Sequence, residues 1–140
     1  MQKIIFKPQT EWLPPEEFPD LSNHSEISID LETKDPELTK MGSGAIIGKG
    51  EVVGIAVAVE GWCGYYPIAH GGGGNMDKTM VLKWFQDVLN TKASKIFHNA
   101  MYDVCWIRAM GLKINGTIID TMIASALCDE NQFRFDLNTC

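Results

Sequence analysis

Ile27-Ser28-Ile29-Asp30-Leu31-Glu32-Thr33 is the stretch on which the fold turns. Apolar side chains at 27, 29 and 31 alternate with polar ones at 28, 30 and 32, the period of a half-buried strand. The same alternation sets the carboxylates of Asp30 and Glu32 on one face, about 7 Å apart along the strand. Hard divalent ions prefer oxygen ligands, and a pair of ions about 4 Å apart can share carboxylates from alternate positions of one strand. Asp-x-Glu also occurs on strands that merely carry solvated acids, so the pair needs company before it signifies chemistry.

Outward from this strand, read as 26–31, the residues before it contain Pro14, Pro15 and Pro19 and form an extended lead-in over 1–25, with a further edge strand expected at 3–6. Residues 35–50, with Pro36 and glycines at 42, 44, 48 and 50, read as a loop. Its Gly48-Lys49 is not a phosphate loop, because Ser43 stands where the first glycine is needed and no helix pattern follows. Strands are expected over 51–60, with Val53, Ile55, Val57 and Val59 on one face, and over 62–68. Short connections make these three an antiparallel meander. Gly71 to Gly74 is a flexible tip.

The period then changes. Met80, Val81, Trp84, Phe85, Val88 and Leu89 recur at helical spacing after a start near Asn75 or Asp77. A strand over 95–98, a helix over 99–110 stopped by Gly111, a strand over 116–119 and a helix over 121–128 capped by Asp120 complete the pattern. The fold class is α/β: a mixed sheet of three antiparallel strands followed by parallel right-handed βαβ units, with helices packed on the sheet. Residues 26–140 form its domain. The segment from Phe135 reads as another helix just beginning, so the domain is expected to be incomplete at its C-terminus.

The second polar cluster is Asn99 and Asp103, four residues apart at a helix start and sharing one helix face. Asp103 is placed to bind a second ion beside Asp30 and Glu32, with Asn99 touching substrate, and the acids are expected to meet near the carboxyl ends of their strands. The ordinary alternative makes Asn99 a cap and Asp103 a solvated acid of a first turn. Asp120-Thr121 reads as a capping and orienting pair. His24, His70 and His98 lack ligand spacing and read as surface or packing residues. Tyr102 and Trp106, at helical spacing, and Trp62, Tyr65 and Tyr66, on a strand, read as packing residues.

A chain of 140 residues with 45% apolar residues can bury a core. Twelve basic against eighteen acidic residues give a formal charge of -6, which argues against a broad basic nucleic-acid surface. A site of metal-binding acids is itself negative until cations arrive. Cys63, Cys105, Cys128 and Cys140 have no zinc-site spacing. No apolar run reaches membrane length and no secretory signal opens the chain, so a cytosolic protein without a membrane partner is expected.

Taken together, Ile29-Asp30-Leu31-Glu32-Thr33, Val53-Gly54-Ile55-Ala56-Val57-Ala58, Tyr65-Tyr66-Pro67-Ile68-Ala69-His70, Phe97-His98-Asn99-Ala100-Met101-Tyr102-Asp103, Ile119-Asp120-Thr121-Met122 and Phe135-Asp136-Leu137 are ordered segments. Their succession resembles the proofreading 3'-5' exonuclease domain of family A DNA polymerases, within the DEDD or RNase D-like exonuclease superfamily. The resemblance implies a ribonuclease H-like fold and hydrolysis of phosphodiester bonds from a DNA 3' end, releasing 5'-monophosphates. It implies two divalent cations, Mg2+ or Mn2+, on the catalytic acids Asp30, Glu32 and Asp103, and terminal nucleotides bound by Thr33 and Asn99. Its partners would be a single-stranded DNA 3' end and a polymerase domain of the same longer chain, phage-like or bacterial, in the bacterial host cytoplasm if phage-encoded.

The family's fourth acid lies in a Tyr-x-x-x-Asp motif. Nothing after Asp103 supplies it, since Asp129 and Asp136 lack a tyrosine four places earlier. A chain short of one metal-binding carboxylate is expected to trim weakly or not at all. Two other functions share the core acids. An RNase D-like RNA-processing exonuclease would carry a helical RNA-binding module downstream, whereas a degenerate domain kept for DNA binding or structural support would take no metal.

Overall fold

The computed structural model describes residues 12–131. The strand expected at 3–6, the helix start at Phe135 and Cys140 lie outside the described residues. Five strands form one mixed sheet: β1 (Glu26–Lys34), β2 (Glu51–Val59), β3 (Trp62–Pro67), β4 (Ser94–Phe97) and β5 (Ile118–Asp120). Their spatial order is β3-β2-β1-β4-β5. β1 to β3 form the antiparallel meander, while β1, β4 and β5 run parallel, as the alternation of strand and helical periods predicts.

The odd positions of β1, Ile27, Ile29 and Leu31, are buried. They join Ile55 and Val57 of β2, Tyr66 of β3 and Phe97 of β4 in a core that helices α3 (Lys78–Asn90) and α4 (Ala100–Ala109) complete. α3 contributes Val81, Trp84, Phe85, Val88 and Leu89, the residues picked out by helical period. Asp77 caps it by accepting the Met80 N–H at 2.9 Å, which supplies one of the partners that a helix start lacks. The lead-in packs on this core. Trp84 Nε1 donates to the Pro19 carbonyl at 2.8 Å and Tyr66 Oη to that of Glu17 at 2.8 Å.

Two expectations need correction. Residues 35–50 are not simply a loop but contain two four-residue helices, α1 (Leu38–Met41) and α2 (Gly44–Ile47). A bond across the segment holds its two ends: Asp35 accepts the Gly44 N–H with both carboxylate oxygens at 3.0 and 3.1 Å. A Cβ at Gly44 would come 1.8 Å from the Lys49 carbonyl, so only glycine fits this tight return. Strand β1 also runs past Leu31 to Lys34, because its pairing with β2 persists through a bulge between Glu32 and Thr33.

The unequal lengths of β1 and β4 make a notch. Their pairing ends at Ser28 opposite Ile96, and β4 stops at Phe97. Beyond that point one edge of β1 is vacated while its other edge stays paired to β2. The chain turns from β4 into α4 through Asn99, whose φ of 63° and ψ of 62° are left-handed. Asparagine tolerates this conformation better than most residues. α4 therefore enters the notch by its N-terminus.

Candidate active site

Asp30 and Glu32 share the sheet face opposite the core, with Ala56 and Gly54 of β2 beside them. Across the notch, Asp103 on the first turn of α4 is only 3% exposed. It is not the solvated acid of the ordinary reading, because Trp106 and Ile107, three and four residues on, are buried with it. The Leu31 backbone N–H lowers its pKa, but burial and the nearby Asp30 and Asp120 carboxylates win and push it up to about 7. Its Oδ2 is buried without a hydrogen-bond partner. Asp30 is also raised, first by burial and then by Glu32, while His98 opposes them.

Asp103 approaches Asp30 at the middle of β1, not at its carboxyl end as expected, and Glu32 lies two residues further along the strand. The carboxyl ends that matter are those of β4 and β5, because these strands stop and leave room for α4. Asn99 precedes α4 rather than sitting on its face, and its side chain makes no capping bond. Asp120 supplies the caps instead. It accepts the N–H groups of Asn99 at 3.0 Å and Ala100 at 2.9 Å, and that of Met122 at 2.9 Å for its own helix α5 (Thr121–Cys128).

Thr33 lies at the far end of the acidic face. Tyr102 Oη gives its single proton to Asp35 Oδ2 at 2.9 Å, so Thr33 Oγ1, 2.9 Å away, must donate to Tyr102. Thr33 is left with lone pairs to offer a ligand. Tyr102 thus ties β1, α4 and the 35–50 segment together, a role beyond simple packing.

Sequence spacing missed three side chains around the acids. Tyr65 Oη donates to Glu32 Oε2 at 2.8 Å, and His70 Nε2 stands 4.0 Å from the same oxygen. His98 sits beside Asp30 and pairs through Nδ1 with Thr121 Oγ1 at 2.8 Å. A usable signal existed: Gly54, Ala56 and Ala58 make a stripe of small residues on the acidic face, leaving room for a neighbour's large side chain. Along this face runs an open apolar groove of about 680 Å3, floored by Ser28, Ala56 and Tyr65 and walled by Trp12, Leu13 and His98.

Among the described residues, no three His, Cys, Asp or Glu side chains already converge as a metal-binding group. The pair Asp30 and Asp103 nevertheless fits a cation: the Asp30 carboxylate raises the pKa of Asp103, and one buried oxygen of Asp103 lacks any donor. A positive ion would satisfy both conditions. No helix among the described residues is long and apolar enough to cross a membrane.

The family model described as 3'-5' exonuclease matches residues 7–139. A DNA-directed DNA polymerase of Pseudomonas phage M6 is 37% identical over 83 residues, 55% of this chain and 12% of that protein. The DNA polymerase DpoZ of Acinetobacter phage SH-Ab 15497 is 30% identical over 125 residues, 87% of this chain and 18% of that protein. The chain thus spans less than a fifth of the length of these relatives. Among solved structures, Brucella melitensis NrnC with bound Mg2+ superposes with a TM-score of 0.54 at 16% identity, over 89% of this chain and 55% of that one. At that identity the likeness shows the ribonuclease H-like fold alone. With the match running almost from end to end, the chain belongs to the 3'-5' exonuclease domain family of DNA polymerases.

Proposed function

We propose that this domain proofreads DNA, removing nucleotides from a single-stranded 3' end for a polymerase on the same chain in a bacterial host cytoplasm. The observation that carries the reading is the buried, partnerless Oδ2 of Asp103 beside Asp30. Asp30, Glu32 and Asp103 would hold two Mg2+ or Mn2+ ions. When bound, such a pair activates a water and stabilises charge on the phosphorus centre and the leaving oxygen. The three carboxylates supply the negative charge that hard cations require, and the low exposure of Asp103 makes each charge interaction stronger than in water.

The remaining residues place the nucleic acid. Thr33, with its proton committed to Tyr102, can accept a hydrogen bond from a terminal sugar hydroxyl. Asn99, turned out of its helix, offers an amide that both donates and accepts. The apolar groove beside Asp30 suits unstacked bases better than phosphates, in keeping with the acidic charge of the chain. The polymerases of the two phages support DNA as substrate.

The test, run on a longer polymerase chain that also supplies the family's fourth acid, is loss of the 3'-terminal nucleotide from a 5'-labelled single strand in Mg2+ or Mn2+. Replacing both strand acids, D30A/E32A, is expected to slow it by at least about 100-fold. Metal-dependent trimming that survives the double replacement overturns the assignment.

A further inference from the structure

Tyr65 and Glu32 meet through an arrangement that the metal-site reading leaves unused. β3 places Tyr65 opposite Ala56, yet its ring leans across Gly54, the β2 residue paired with Glu32. A Cβ on Gly54 would lie 1.9 Å from Tyr65 Oη and 2.3 Å from Cζ. The ring therefore rests on bare backbone, and no other residue at position 54 lets it lie there. Its hydroxyl gives its one proton to Glu32 Oε2. His70 Nε2, also in contact with that hydroxyl, must then donate to it. His70 is fixed in turn by Asn75, which accepts its N–H at 2.7 Å and donates to its carbonyl at 2.9 Å.

This chain of contacts grips a side chain that is otherwise free. The Glu32 side chain is 60% exposed, and an exposed glutamate spreads over many rotamers. Asp30 lies close enough to repel it while no cation is present. We propose that Tyr65 is a positioning residue for Glu32, holding Oε2 within reach of the site and leaving Oε1 for a divalent cation. The inference rests on the reading of Asp30, Glu32 and Asp103 as metal-binding acids. His70 and Asn75 brace the tyrosine, and Gly54 admits it.

Mn2+ titration of the full chain, read from the electron paramagnetic resonance of free Mn2+, tests this without any activity assay. Y65F keeps the ring and deletes only the hydroxyl. It is expected to weaken Mn2+ binding by about tenfold or more, as loss of a hydrogen bond to a ligating carboxylate does, with circular dichroism and Tm unchanged. G54A displaces the ring by a separate route and should weaken binding comparably, with no further loss in G54A/Y65F. If G54A fails to fold, Y65F decides alone. Binding by Y65F that equals or exceeds wild type overturns the positioning role, and if D103N still abolishes binding, the metal site itself survives. A wild-type chain that takes up no Mn2+ overturns both.

Discussion

Asp120 holds the entry to α4 by accepting the backbone N–H of Asn99 at 3.0 Å. Its second oxygen takes the N–H of Ala100, and Met122 shares the first. One carboxylate thereby ties two helix starts to the end of β5 and fixes the helix that carries Asp103. A side chain in this position acts on the site through geometry, by setting where α4 begins.

Replacing Asp120 with alanine should destabilise the chain by about 1–3 kcal/mol, since three backbone donors lose their acceptor. Urea unfolding followed by circular dichroism measures the loss. Asp120→Asn, which keeps an acceptor oxygen, should recover part of it.

Asp103 predicts how stability changes with pH in the metal-free chain. Its folded pKa of about 7 stands above the ordinary carboxylate value of 3.8, so the folded state binds a proton that the unfolded state has released. Stability must fall as pH rises through that window. D103N should flatten the slope and exceed wild type by about 1–3 kcal/mol at pH 8, with the advantage gone near pH 4. Urea midpoints across the pH series give the answer, and equal slopes in the two proteins would count against burial of the charge.

Tyr102→Phe removes the hydroxyl that serves Thr33 and Asp35. Asp35 would then grip the Gly44 N–H from a less constrained position. Amides of α1 and α2 are expected to exchange with solvent about 5- to 30-fold faster, while core amides of β1 and β2 keep their protection. Hydrogen exchange read by mass spectrometry distinguishes this local loosening from global destabilisation.

Lys95 is fully buried on β4, its ammonium donating to the carbonyls of Thr91 and Asn115. Burial lowers its pKa, yet the two carbonyls have a need that an apolar chain cannot meet. K95M should cost about 1–3 kcal/mol in a thermal or urea unfolding measurement. A gain in stability would mean that desolvation outweighs the bonds.

Local pattern revealed the parts of the fold in which one segment decides its own state. Alternation marked β1, helical period marked α3, and Asp120 before Thr121 marked the start of α5. The short helices α1 and α2 escaped because nothing within them demands a helix: the Asp35 carboxylate that holds Gly44 lies outside them. The extension of β1 to Lys34 likewise depends on β2 as partner.

The acids themselves were visible, but their surroundings were not. Burial of Asp103 follows from Trp106 and Ile107 on the same side of α4, which spacing hinted at and burial resolved. Tyr65 and His70 lie 33 and 38 positions beyond Glu32 and meet it only because β3 and β2 fold back across the sheet. Registers of that kind are set by strand pairing, which residue identities alone do not encode.

The notch left by the early end of β4 has a further consequence for solubility. Past Ser28 that edge of β1 has no partner strand, and a strand edge left open recruits other chains and seeds aggregation. Asp103 meets the Leu31 backbone amide there with its carboxylate, taking the place that a neighbouring strand's carbonyl would fill. Asp103 thus stands where a foreign strand would have to pair to extend the sheet.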